Sequence, residues 1–166
     1  MSEQVPEFTI VRRFDAPVER VFEAWADPAK MVQWSGPAGS RVDIIAGELA
    51  EGKSSISHTS GEGFPEMYSL CLWREIRPHT RISWEQSFCD RDGNKTIAPF
   101  FDHWPLTLLT VVDLVPLAGR TELTLRWIPI EYDQASLDEF VRQMAGMTGG
   151  WGGSFDKLDA YLSAFD

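Results

Sequence analysis

A chain of 166 residues with 15 basic and 25 acidic side chains carries a net charge of −10, which argues against nucleic acid and anionic membrane surfaces as partners. Its length suffices for one domain, taken as residues 1–166, to bury a core without a metal or disulfide staple. The opening stretch MSEQVPEFTIVRRF has no signal-peptide-like apolar run, and no window approaches the roughly 18 apolar residues of a membrane span, so a cytoplasmic protein with no membrane attachment is expected.

Phe8, Ile10 and Phe14 share one face of a strand read over Pro6 to Phe14. A helix follows, with Asp15 as its cap, Pro17 in its first turn, and Val18, Val21, Phe22 and Trp25 as a core-facing stripe that stops at Asp27-Pro28. A second short helix, Ala29 to Trp34, ends at Ser35-Gly36-Pro37.

From Arg41 onward six strands are predicted: Arg41 to Leu49, Lys53 to Ser60, Glu66 to Arg77, Thr80 to Cys89, Pro105 to Val115 and Thr121 to Ile130. The turn candidates between them are Glu51-Gly52, Gly61-Glu62-Gly63, Pro78-His79, Asp92-Gly93-Asn94 and Ala118-Gly119. Such short connections imply an antiparallel meander. A symmetric hairpin about Pro78-His79 would set Cys71 opposite the region of Gln86 and Cys89 near Tyr68, so the two thiols read as buried and unbridged. Without Cys-x-x-Cys spacing, and with only three scattered histidines, no metal and no cofactor are expected.

The last segment, 135 to 165, places Leu137, Phe140, Val141, Met144, Met147, Trp151, Phe155, Leu158, Leu162 and Phe165 at helical spacing. Gly146, Gly149, Gly150, Gly152 and Gly153 interrupt its middle, each costing about 1 kcal/mol relative to alanine, which predicts a bend or break between Gly146 and Ser154. Either the glycines let the helix approach the sheet closely or they shape a cavity beneath it. The fold class expected is α+β: a curved antiparallel sheet of about seven strands gripping one long C-terminal helix, with two short helices after strand one.

FDAPVERVFEAWADPAKMVQWSGP at 14 to 37, REIRPHTRISW at 74 to 84, GRTELTLRW at 119 to 127 and MTGGWGGSFDKLDAYL at 147 to 162 together resemble the bacterial Aha1-type branch of the START-like (Bet v 1-like, SRPBCC) superfamily. That resemblance implies the helix-grip fold and a hydrophobic cavity between sheet and closing helix. Members use such a cavity for lipid or metabolite binding, cyclisation, hydrolysis or co-chaperone work. Where relatives often carry two adjacent tryptophans before Gly-Pro, this chain has Trp34-Ser35-Gly36-Pro37, which alters the rim near the first helices.

The function expected is binding of a small hydrophobic or aromatic molecule in that cavity. Met144, Met147, Trp151 and Phe155 would contact it from the helix, and Trp34, Trp84, Phe88, His58 and Tyr68 from the rest of the wall. Gln86, on the face of Ile82, Trp84 and Phe88, would need a polar partner if buried, which a ligand could supply. The loop Ile97-Ala98-Pro99-Phe100-Phe101 leads into Trp104 and could fold over the cavity mouth or form a homodimer contact. An enzyme of the cyclase or hydrolase type in the same cavity is the alternative, with His58 paired to Glu66 or Tyr68 as acid and base. No catalytic residue is assigned, because no Gly-x-Ser-x-Gly, P-loop or His-Glu-x-x-His occurs. An Hsp90-linked interaction role is a third reading, disfavoured because the extra amino-terminal domain of eukaryotic Hsp90 activators is missing from this sequence.

Overall fold

A computed structural model describes residues 5–36, 39–63, 65–98 and 101–164. The elements run β1 (Phe8–Phe14), α1 (Val18–Ala26), α2 (Pro28–Trp34), β2 (Arg41–Gly47), β3 (Ser54–Ser60), β4 (Met67–Arg77), β5 (Arg81–Cys89), β6 (Thr107–Leu117), β7 (Arg120–Glu131) and α3 (Gln134–Ser163). The strands form one antiparallel sheet in the order β1-β7-β6-β5-β4-β3-β2. This is the expected α+β helix grip, with two short helices after the first strand and a long helix at the end.

The predicted turns carry the backbone that tight reversals demand. Gly52, Gly63, Gly93 and Gly119 have positive φ, and so do His79 and Ala118. With the turn at His79 fixed, Cys71 pairs with Gln86 and Tyr68 with Cys89, and both thiols are free and buried. Burial pushes the Cys71 thiol up to about 12. Asp15 does not cap α1: Pro17 is the cap residue, no side chain bonds to the helix end there, and Asp15 instead faces Arg120 at 3.3 Å. Asp27 is the carboxylate that caps, accepting from Ala29 N of α2.

The predicted break in the last helix does not occur. α3 is continuous over 30 residues and opens with a capping box in which Asp133 and Ser136 exchange hydrogen bonds. Tertiary anchors on both sides of the glycines outweigh their low propensity. Phe140, Met147, Phe155, Leu158 and Leu162 are buried. The Arg12 guanidinium reaches from β1 to Asp156 and Asp159 at 2.6 Å each and to the Gly152 carbonyl at 3.3 Å. Lys157 Nζ donates to the carbonyls of Ser35 and Ser40, and Ser154 Oγ to that of Gly36. Nor do four of the five glycines serve close packing. A Cβ added at Gly146, Gly149, Gly150 or Gly152 would meet nothing within 4 Å.

The inner face of the sheet carries a continuous row of large side chains. Register aligns Trp73 on β4 with Trp84 on β5, Thr110 on β6, Trp127 on β7 and Phe8 on β1. Trp25 of α1 lies over this row, its ring 4.6 Å from Trp34, 6.0 Å from Trp84 and 6.4 Å from Trp151. These rings pack into one core cluster with Phe140, Met147 and Phe155 of α3. Pro37, Pro99, Phe100 and Phe165, which figure in the turn, mouth-loop and stripe readings, lie outside the described residues.

Candidate functional site

Beside the tryptophan row, register sets Cys71, Gln86, Leu108 and Pro129 in line across β4 to β7. There the side chains shrink, and β6 begins only at Thr107, so the end of β5 runs on beyond its neighbour. The result is a half-open recess of about 280 Å³ between the sheet and α3. Gln86, Ser87 and Phe88 form one wall and Leu108 and Trp127 the floor. Gln143, Gly146 and Met147 come from the helix, and Phe101, Trp104 and Pro105 from the loop before β6.

Two devices hold this shape. Phe101 stacks on Trp104 with ring centroids 4.9 Å apart and planes 17° from parallel, and Trp104 in turn packs on Phe140 of α3 at 5.8 Å. Behind the wall, Ser87 Oγ lies 2.9 Å from Thr107 Oγ1, Thr107 donates to Glu131, and Lys95 Nζ bonds both Thr107 and Glu131. The hydrogen bonds from Lys95 and Thr107 hold the Glu131 carboxyl below the usual carboxylate range. This network ties the loop after β5 to the starts of β6 and the end of β7.

Among the described lining residues none carries a charge at neutral pH. The polar groups facing in are few. Gln143 Nε2 is drawn to Glu139 one turn back, at 3.4 Å. Gln86, half-buried between Trp84 and Phe88, makes no side-chain hydrogen bond among the described residues; its lateral neighbours Cys71 and Leu108 offer it no oxygen. Ser55, the next polar group along that line, already accepts from Trp73 Nε1 at 3.0 Å.

The residues expected around a cavity separate into three sets. Phe88 and Met147 line the recess. Trp34, Trp84 and Phe155 are buried in the core instead, and Trp151 packs against Trp25, Trp127 and Phe155, with Met144 half-buried beside the core. They belong to the packed core beside the recess. His58 and Tyr68 pair with each other and, through Tyr68, with Cys89. By the alternation of a strand they therefore face away from Trp84, Gln86 and Phe88, on the outer side of the sheet. They do meet there: the rings stack at 4.8 Å, His58 Nε2 lies 3.4 Å from Glu66 Oε1, and Arg91 donates to the Tyr68 hydroxyl. The serine-rich β3, which carries His58, lies between β4 and β2. Leu108, Trp127 and Gln143 line the recess without having been singled out as lining. For Trp127 the signal was present, because counting back from the Ala118-Gly119 turn places it opposite Thr110.

Among the described residues no cluster of three or more His, Cys, Asp or Glu side chains could hold a metal ion, and no helix is long and apolar enough to cross a membrane.

Comparison with known proteins bears on the whole of this architecture. The model of the family described as "Activator of Hsp90 ATPase homolog 1-like protein" matches residues 15–163. The chain belongs to this family. Solved structures of similar shape include a protein from Arthrobacter aurescens, with 24% identity, 96% of this chain and 87% of that one covered, and a TM-score of 0.78. A Mycobacterium smegmatis protein follows at 20% identity, covering 95% of this chain and 91% of its own, with a TM-score of 0.77. An Hsp90 activator homolog 1-type protein from Silicibacter pomeroyi, at 20% identity and a TM-score of 0.71, covers 97% of this chain and all of its own, 100%. At these identities the likeness extends to the fold. Among curated proteins none matches the chain. For this member of the activator-homolog family, then, a functional reading rests on the recess itself.

Proposed function

We propose that the chain is a small-molecule-binding protein whose ligand, a one- or two-ring apolar or aromatic molecule, sits in the recess between β5, β6 and the middle of α3. The observation that carries the reading is an uncharged recess walled by Phe88, Phe101, Trp104, Trp127 and Met147, since binding sites are concave, mostly apolar and provided with few polar groups. Its volume of about 280 Å³ lies at the small end of the range for ligand pockets, which suits a one- or two-ring molecule. A ligand of ten heavy atoms at about 0.5 kcal/mol per atom would bind with a dissociation constant on the order of 0.2 mM.

Binding is favoured over catalysis in the same recess because the acid-base candidates His58 and Glu66 lie on the other face of the sheet. Isothermal titration calorimetry with 2-naphthol tests the proposal, using the wild type and a Gly146→Leu variant. The side chain of that variant points into open space at the recess. Saturable binding to the wild type, with a negative heat-capacity change, and its loss in a folded Gly146→Leu protein are expected. Equal binding by both proteins would place the ligand elsewhere, and no binding to the wild type would remove the reading.

A further inference from the structure

Building on the recess as a binding site, we infer that Gln86 sets the class of its ligand: a neutral, planar ring system bearing a hydrogen-bond donor and acceptor side by side, as in a lactam or carboxamide. Gln86 projects from the inner face between Trp84 and Phe88 and lines the recess. Its primary amide offers one acceptor and two donors, and among the described residues none of them is used. Cys71 and Leu108 flank it across the sheet. The nearest hydroxyl in that line, Ser55, is engaged by Trp73.

A half-buried amide without a partner is poorly placed against hydrocarbon. A ligand that reproduces its complementary donor and acceptor recovers those hydrogen bonds, whereas a bare hydrocarbon displaces their water and replaces nothing. The same wall excludes charge. No lysine, arginine or histidine is among the described lining residues, and the chain is strongly acidic, so a carboxylate entering the recess would lose its hydration without a counter-charge. The parallel plates of Phe101 and Trp104 add a flat surface suited to a planar ring.

Calorimetric titration with three molecules of nearly equal size separates these terms: 2-quinolinone, with the paired donor and acceptor; naphthalene, with neither; and 2-naphthoate, with a charge. Wild type should bind 2-quinolinone roughly tenfold more tightly than naphthalene and 2-naphthoate not measurably. Gln86→Leu, similar in volume, should lose the preference by binding 2-quinolinone more weakly and naphthalene at least as well. Equal affinities for 2-quinolinone and naphthalene in the wild type, a preference that survives in Gln86→Leu, or measurable binding of 2-naphthoate would overturn the assignment while leaving the recess as a binding site. Failure of all three molecules to bind the wild type would overturn both the assignment and the proposed function beneath it.

Discussion

Replacing Gly149 and Gly150 together by alanine should make the protein more stable, although both lie in the middle of its longest helix and beside its candidate site. Both residues are exposed and helical, and neither added Cβ would come within 4 Å of another group. The structure therefore offers no steric penalty to set against the gain in helix propensity and the loss of unfolded-state freedom, about 1 kcal/mol per site. The pair should contribute about 2 kcal/mol, which for a chain of this size raises Tm by roughly 4–8 °C. Circular dichroism melts and urea denaturation of the two proteins measure it. Gly47→Ala is the control of opposite sign, because Gly47 has φ +81° and its added Cβ would lie 2.1 Å from the Ser54 carbonyl oxygen. A double alanine variant with an unchanged or lower Tm would refute the argument that these glycines are free of packing.

Three further outcomes follow from the packing and the charges. Trp151→Ala should destabilise the fold by about 3 kcal/mol, since the indole packs against Trp25, Trp127 and Phe155; a urea midpoint close to wild type would mean that the ring is dispensable filling. Cys71 should stay unreactive toward a disulfide reagent at pH 8 in the native state, because burial holds its thiol up to about 12, and prompt modification would contradict that burial. Glu131 and Asp133 both have carboxyl pKa values below the ordinary range, Glu131 through Lys95 and Thr107 and Asp133 through the Ser136 backbone and hydroxyl. Lowered folded-state values mean stability that is present above the ordinary carboxylate range and is lost as pH falls through the depressed values. Acid melts should therefore show an earlier loss of stability for wild type than for Glu131→Gln, relative to each protein at pH 7; identical profiles would sink the idea.

Much of the fold was legible along the chain because local rules agreed with the tertiary structure. The alternation of β1, the stop of α1 at Asp27-Pro28, and turns at Gly52, Gly93 and Ala118-Gly119 each specify their element, and the turn at His79 fixed the pairing of Cys71 with Gln86. The continuity of α3 was not legible. Five glycines argue locally for a break, while Arg12, Lys157 and a buried stripe from distant parts of the chain hold the helix together.

The site was read only in part, for a geometric reason. Which tryptophans pack and which leave space depends on rows that run across strands, and Trp73, Trp84 and Trp127 fall into one row that no single strand reveals. Gln86, a polar residue on an apolar face, and the loop before β6, an apolar run outside a strand, both border the recess. His58 was expected at the cavity wall, yet its partner Tyr68 pairs with Cys89, and that parity turns both toward the outside.

The most direct test of the recess as a binding site is a titration of 2-naphthol into protein carrying 13C-labelled methionine methyl groups, followed by NMR. The chain has five methionines. Met147 lines the recess, whereas Met31 on α2 and Met67 at the start of β4 do not. A saturable shift of the Met147 methyl signal with Met31 and Met67 unmoved is the predicted result; an unmoved Met147 signal, or a saturable shift at Met31 or Met67 instead, would contradict it.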